Sequence, residues 1–295
     1  MFFQIVGELL ITAGILIGLF VVWTVWWTNV VGEKAIKEEV VEIHEEYGEA
    51  PSIYAKPQPG PPPEIAEPKK IGETIGIIHI PDFGYDHQTA IKEGTDNWVL
   101  DQGVFSHYKG TAMPGAVGNF STAVHREVRG ARMKEVEILK EGSPIVVETK
   151  DTYLVYKIVS TEIVDPTDIY VIQPDPFAIK EQWERSHTLQ NPVPNRRLLT
   201  ITTCHPLYMS THRYIVHAEF DYWVKRSEGM PKELIDPHTL QMSENLNLNS
   251  ENKTFEKQQI WAENQTDKQS FPLPAINIAQ AQNISITRLD AVKEN

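Results

Sequence analysis

The 295-residue chain carries 40 acidic against 27 basic side chains, a net charge of −13, and 41% hydrophobic residues. That is enough apolar material for one or two domains, and enough negative charge to exclude nucleic acid, whose phosphates need a basic face. The single cysteine, Cys204, excludes an intramolecular disulfide and leaves either a core thiol or a nucleophile.

The first predicted element is a membrane span. No charged residue occurs from 9 to 32, between Glu8 and Glu33. As a helix this run is about 36 Å long, against a hydrocarbon core of roughly 30 Å. Trp23, Trp26 and Trp27 cluster at its end, as in an interfacial belt. A cleaved signal peptide fits less well, because no basic segment precedes the run and no small-residue cleavage site follows it. Residues 1–32 are therefore read as a transmembrane anchor. Lysine and arginine do not orient it, since the first of them is Lys34.

Residues 33–47 are charged and helix-compatible and read as a solvated stalk. Residues 50–70 hold Pro51, Pro57, Pro59, Pro61, Pro62, Pro63 and Pro68, the composition of an extended polyproline spacer. Residues 33–70 together form the expected stalk and linker.

From residue 71 the pattern changes to short apolar runs between turn residues. Strands are predicted at 75–80, 119–124, 144–148, 153–163, 198–203 and 214–223. Short helices are predicted at 95–100, 133–139 and 177–190. The fold class is mainly β: a closed, mostly antiparallel barrel with a few short helices, preceded by the N-terminal span. Residues 71–226 form this domain. Residues 227–295 read as a polar tail, with disorder expected over 242–270 and a short docking element possible at 276–286.

Chemistry concentrates at the end of the 198–203 strand. Cys204 follows an apolar run, and Arg213 comes nine residues later, at the start of the next predicted strand. If the two strands pair as a hairpin, the connection returns Arg213 close to Cys204. His125 follows directly on an earlier predicted strand, which would let it reach the same end of the sheet. An acyl transferase using sulfur needs a thiolate, a proton donor for the leaving amine and charge stabilisation for the oxyanion. Cys204, His125 and Arg213 supply those three. Taken singly, each has a plainer reading: a buried small hydrophobe, a structural histidine and a solvated arginine.

Together these residues resemble the sortases, and among them the class E, actinobacterial-type enzymes. Thr200-Ile201-Thr202-Thr203-Cys204 is similar to the sortase T-L-x-T-C signature, with Ile201 in place of Leu. Cys204-His205-Pro206, Arg213 and Ile215-Val216-His217-Ala218 resemble the class E form of that region. So does His107-Tyr108-Lys109-Gly110-Thr111-Ala112-Met113-Pro114-Gly115, leading through Gly118-Asn119 to His125-Arg126.

The resemblance implies a sortase-type barrel and a cysteine transpeptidase on the extracellular face of the cell membrane, held by a single span. Its partners would be secreted proteins bearing a C-terminal L-A-x-T-G-like sorting signal. The acceptor would be an amine of peptidoglycan precursor or a pilin lysine. It implies catalytic roles for His125, Cys204 and Arg213, and substrate contacts for Tyr108 and Thr203. It calls for no cofactor.

Two features depart from the pattern. Val124 stands where the family usually has Gly, a stiffer residue expected to shift the His125 backbone. The loop 127–136 is shortened or altered. With the long tail, they motivate an alternative: a catalytically degenerate sortase fold serving as a surface binding or scaffold module. His205 and His212 beside Cys204 lack the spacing of a zinc site, and Asp165, Asp168 and Asp175 lack that of a calcium loop.

Overall fold

The computed structural model describes residues 2–187 and 193–236. Eight strands close into a barrel in the order β1-β2-β3-β4-β7-β8-β6-β5. They are β1 (Thr74–His79), β2 (Gln88–Glu93), β3 (Phe105–His107), β4 (Gly118–Ala123), β5 (Pro144–Glu148), β6 (Thr152–Val164), β7 (Arg197–His205) and β8 (His212–Lys225). Most neighbours run antiparallel, but β2 pairs with β3 and β4 with β7 in parallel. The six expected strands are present. β2 and β3 were not expected: β2 mixes polar with apolar positions, and β3 is three residues long. Inward side chains including Ile78, Phe105, Phe120, Leu154, Leu199 and Val216 fill the barrel.

Helix α2 (Asn97–Leu100) lies where residues 95–100 were expected to be helical. The 133–139 stretch forms only a 3-10 turn at Val136–Ile138. Helix α3 (Pro176–Ser186) starts on an Asp175 cap, whose carboxylate accepts from the Ala178 N–H. Residues 188–190 of that expected helix lie outside the described residues, as do the tail stretches 242–270 and 276–286.

The N-terminal helix α1 (Phe2–Tyr47) is one continuous element of 46 residues. Its first half is exposed and apolar, long enough to cross a membrane. Its second half is not a solvated stalk. Ile36, Val40 and Ile43 are buried, and Tyr47 is partly buried, on one stripe at helical spacing. Val40, Ile43 and Tyr47 pack with Ile77, Ala90, Val99 and Val104. Each aliphatic side chain so buried contributes roughly 1.5–3 kcal/mol before entropy.

A polar clasp fixes the end of α1. Glu148 accepts from Arg226 Nε at 2.7 Å and bonds His79 at 2.9 Å and His44 of α1 at 3.1 Å. Arg226 also donates to the carbonyls of Tyr47 and Gly48, at 3.1 and 2.7 Å. Those are last-turn groups with no partner inside the helix.

The proline-rich segment is likewise packed rather than a free spacer. Ala55 N–H donates to Met230 C=O, Gln58 N–H to Trp223 C=O and Trp223 Nε1 to Gly60 C=O. Ala55 is buried with Val146, Tyr153 and Val224. The first residues beyond 226 also depart from the expected tail. Met230 N–H donates to Ile53 C=O, and Glu233 receives hydrogen bonds from Lys157 and Tyr222. Residues up to 236 therefore belong with the barrel.

Candidate active site

β7 and β8 form an antiparallel pair in which Cys204 lies directly opposite Arg213 and Thr203 opposite Tyr214. Opposed residues in such a pair have Cα atoms about 4.5–5.5 Å apart. The hairpin expectation for these two residues is met. β4 runs parallel to β7 on the other side, with Ala123 against Thr202. Val124 N–H extends the contact by donating to Thr202 C=O at 3.1 Å, so His125 leaves the sheet beside the end of β7. Three neighbouring strand ends thus converge, each carrying one of the three residues.

Strand alternation sorts the side chains of β7. Leu199 and Ile201 face the core, and Thr203, in phase with them, is buried. Thr200, Thr202 and Cys204 share the outer face. Cys204 is half-buried and unbridged. Tyr108, on the β3–β4 connection, bonds the Thr202 hydroxyl at 2.9 Å. It therefore stands on the same outer face as the thiol. Thr203 is differently engaged: its hydroxyl donates to Val124 C=O at 2.8 Å. Val124 itself is buried in the core, with its N–H and C=O both bonded. It fits this backbone without a glycine.

The His125 side chain is about 30% exposed, and its Nε2 lies 3.3 Å from Asp101 Oδ1. Arg129 Nε approaches the same oxygen at 3.8 Å. The Arg213 guanidinium turns back on its own loop, donating to Ser210 C=O at 3.1 Å and His212 C=O at 2.9 Å.

Two residues that sequence reasoning missed support the site. One is Asp101, placed by α2. The other is Arg126, whose buried guanidinium donates to Cys204 C=O at 3.3 Å and to His205 Nδ1 at 3.1 Å, and pairs with Glu137. A guanidinium only donates, so the His205 nitrogen accepts. Desolvation pushes the Glu137 carboxyl up, but hydrogen bonds from Arg126 and the Glu137 backbone, with the charge of Arg126, together outweigh it and hold the group below its ordinary range. An arginine next to a candidate histidine, with Glu137 eleven positions on, was the available signal for this pair.

The wall beside the outer face is built from the β6–β7 connection. Thr200 Oγ1 donates to Asn119 Oδ1 at 2.7 Å and meets His217 Nδ1 at 2.8 Å. The Asn119 amide donates to Val171 and Gln173 carbonyls, at 3.1 and 2.9 Å. His217 Nε2 lies 3.2 Å from Glu162, which also receives Tyr170 and Lys180 of α3. This network clamps the 3-10 turn Ile169–Ile172 and α3 over the sheet.

The family model described as a sortase domain matches residues 78–221. A curated relative, sortase SrtE2 of Streptomyces coelicolor, is 34% identical over 221 residues, 73% of this chain and 81% of the relative. The chain belongs to the sortase family. Its relatives are class E sortases: SrtE1 of the same organism is 33% identical over 78% of this chain and 60% of its own length. Among solved structures, the SrtA sortase from Actinomyces oris superposes with a TM-score of 0.51 at 37% identity, covering 59% of this chain and 94% of that one. The SrtF sortase from Corynebacterium diphtheriae does so with a TM-score of 0.50 at 26% identity, covering 61% and 99%. This sortase is a cysteine transpeptidase, and as a family sortases join proteins bearing a sorting signal to amine acceptors.

Proposed function

We propose that this sortase is membrane-anchored through α1, with its barrel on the extracellular face. It cleaves a C-terminal L-A-x-T-G-like sorting signal between Thr and Gly. Cys204, His125 and Arg213 carry the reaction. The observation behind this reading is the convergence of the ends of β4, β7 and β8, with Cys204 opposite Arg213 and His125 just past the end of the neighbouring strand β4.

In this mechanism the Cys204 thiolate attacks the Thr carbonyl carbon, and the carbonyl π electrons move onto oxygen. Arg213 leaves its loop carbonyls to stabilise that oxyanion or orient the substrate backbone. The C–N bond breaks as His125 gives its proton to the departing Gly amine. An amine of peptidoglycan precursor or of a pilin lysine then attacks the thioester, giving its proton to His125. The new amide forms and the thiolate leaves. Asp101, 3.3 Å from His125 Nε2, orients the ring for proton transfer. Tyr108, fixed to Thr202 on the outer face, contacts the signal peptide.

The test is mass spectrometry of the whole chain in detergent after incubation with an L-A-x-T-G peptide and no amine acceptor. A thioacyl adduct on Cys204, or cleavage between Thr and Gly, is expected. Cys204→Ala should abolish both, and undiminished turnover by that variant would sink the mechanism.

A further inference from the structure

Helix α1 runs the length of the barrel in a fixed direction. Its C-terminal end is clasped by Glu148 and Arg226, which lie where β5 and β8 end. Its middle lies at the opposite, Cys204 end. There the Asn29 amide donates to Glu127 C=O at 3.1 Å, two residues past His125. Gly32 meets the same loop so closely that a Cβ would stand 2.8 Å from the Arg129 and Gly130 backbone. Ile36 presses on Gly103 and Gly130, both at positive φ.

The loop joining β7 and β8 is tied to this assembly too. Tyr208 N–H donates to the Glu127 carboxylate at 2.7 Å. Its neighbouring side chains are apolar and uncovered: Tyr208 is 72% exposed, Met209 58% and Val128 41%.

Gly32 lies five positions after Trp27, the last of the tryptophan cluster, which is about 7.5 Å along a helix axis. The headgroup layer on each side of a bilayer is of similar depth, roughly 5–8 Å. We propose that the Cys204 end of the barrel rests on the bilayer, with Val128, Tyr208 and Met209 seated in the headgroup layer beside the α1 tryptophans. The occupant of this apolar tip is the lipid interface, because α1 delivers the tip to it. Cys204 then opens toward the membrane surface rather than away from it. This inference rests on the membrane-anchor reading.

The test uses the whole chain with Cys204→Ala, carrying one further substitution at a time: Leu16→Cys in the span, Met209→Cys at the tip, or Lys150→Cys in the turn at the far end. Each is labelled with an environment-sensitive fluorophore in phosphatidylcholine–phosphatidylglycerol vesicles containing spin-labelled lipids. Acyl-chain quenchers should act on the Leu16 site. Headgroup quenchers should act on the Met209 site at least threefold more than on the Lys150 site. Equal, weak quenching at Met209 and Lys150, with Leu16 quenched, overturns the seating while leaving the anchor intact. An unquenched Leu16 site overturns the anchor, and the seating with it. A Met209 signal that follows the protein-to-lipid ratio rather than quencher depth assigns the tip to a second copy of the chain and overturns the lipid assignment.

Discussion

The hydroxyl of Thr203 donates to the carbonyl of Val124 at 2.8 Å, so the residue before the proposed nucleophile holds the residue before the proposed general acid. This bond ties β7, near its end, to the chain just past the end of β4, where that strand leaves the sheet.

Thr203→Val keeps the shape and removes the bond. A buried carbonyl that loses its donor costs about 1–3 kcal/mol. The His125 backbone also loses a restraint, and a displacement on the ångström scale can lower turnover by as much as about 100-fold. The expected outcome is a fall in kcat of about tenfold or more in a peptide-cleavage assay, with KM little changed. Thr203→Ser, which restores the hydroxyl, should recover most of it. A Thr203→Val enzyme that differed only in KM would instead place Thr203 in direct contact with substrate.

Arg126 offers a second test of the same frame. Its guanidinium is buried against Cys204 C=O, His205 and Glu137. Arg126→Met preserves the stem and removes several buried hydrogen bonds. A loss of about 2–4 kcal/mol in denaturant unfolding is expected. Glu137 is half exposed, so Glu137→Gln should cost under about 1 kcal/mol. Equal losses from the two variants would show that the ion pair, not the bonds to the Cys204 and His205 positions, carries the effect.

Six of the eight strands, β1 and β4 to β8, and the Cys204–Arg213 hairpin were legible because alternation and turn residues report pairing locally. The parallel contact of β4 with β7 was not, since nothing in either segment names its non-local neighbour. Asp101 stayed hidden for that reason: 24 residues from His125 in sequence, it reaches the ring only through the fold. The packing of α1 leaves a pattern in the sequence that its charged residues obscure. Ile36, Val40, Ile43 and Tyr47 fall on one helical stripe, but the surrounding Glu and Lys residues gave the segment a solvated look. The buried Glu148 clasp could not be read, because its members come from α1, β1, β5 and the end of β8.

The approach of α1 to the His125 loop predicts a coupling between anchor and catalysis. At Gly32 any side chain would collide with the backbone of Arg129 and Gly130. Gly32→Val should displace that loop and lower kcat about tenfold or more, while span insertion is unchanged. Asn29→Ala, which only removes the bond to Glu127 C=O, should give a smaller effect in the same direction. Peptide cleavage by the whole chain in vesicles measures both. Wild-type turnover by Gly32→Val would mean that the loop does not depend on the helix.

Acid should loosen the wall of the site at a definite place. Desolvation pushes the Glu162 carboxyl up, but hydrogen bonds from His217, Lys180 and Tyr170 outweigh it and bring the group from 4.5 down to about 2. Between those values the unfolded chain binds more protons than the folded one. The contribution of Glu162 is therefore complete above about pH 4.5 and is lost as pH falls through about 2. Glu148, lowered despite its burial by His44, His79 and Arg226, adds a loss of the same sign at still lower pH. Glu162→Gln removes the first contribution only. Its Tm should lie below wild type at pH 6 and converge toward it as pH drops from 4.5 to 2. A Tm difference that stayed constant over that range would show that the hydrogen bonds of the wall, and not the charge on Glu162, hold α3 against the sheet.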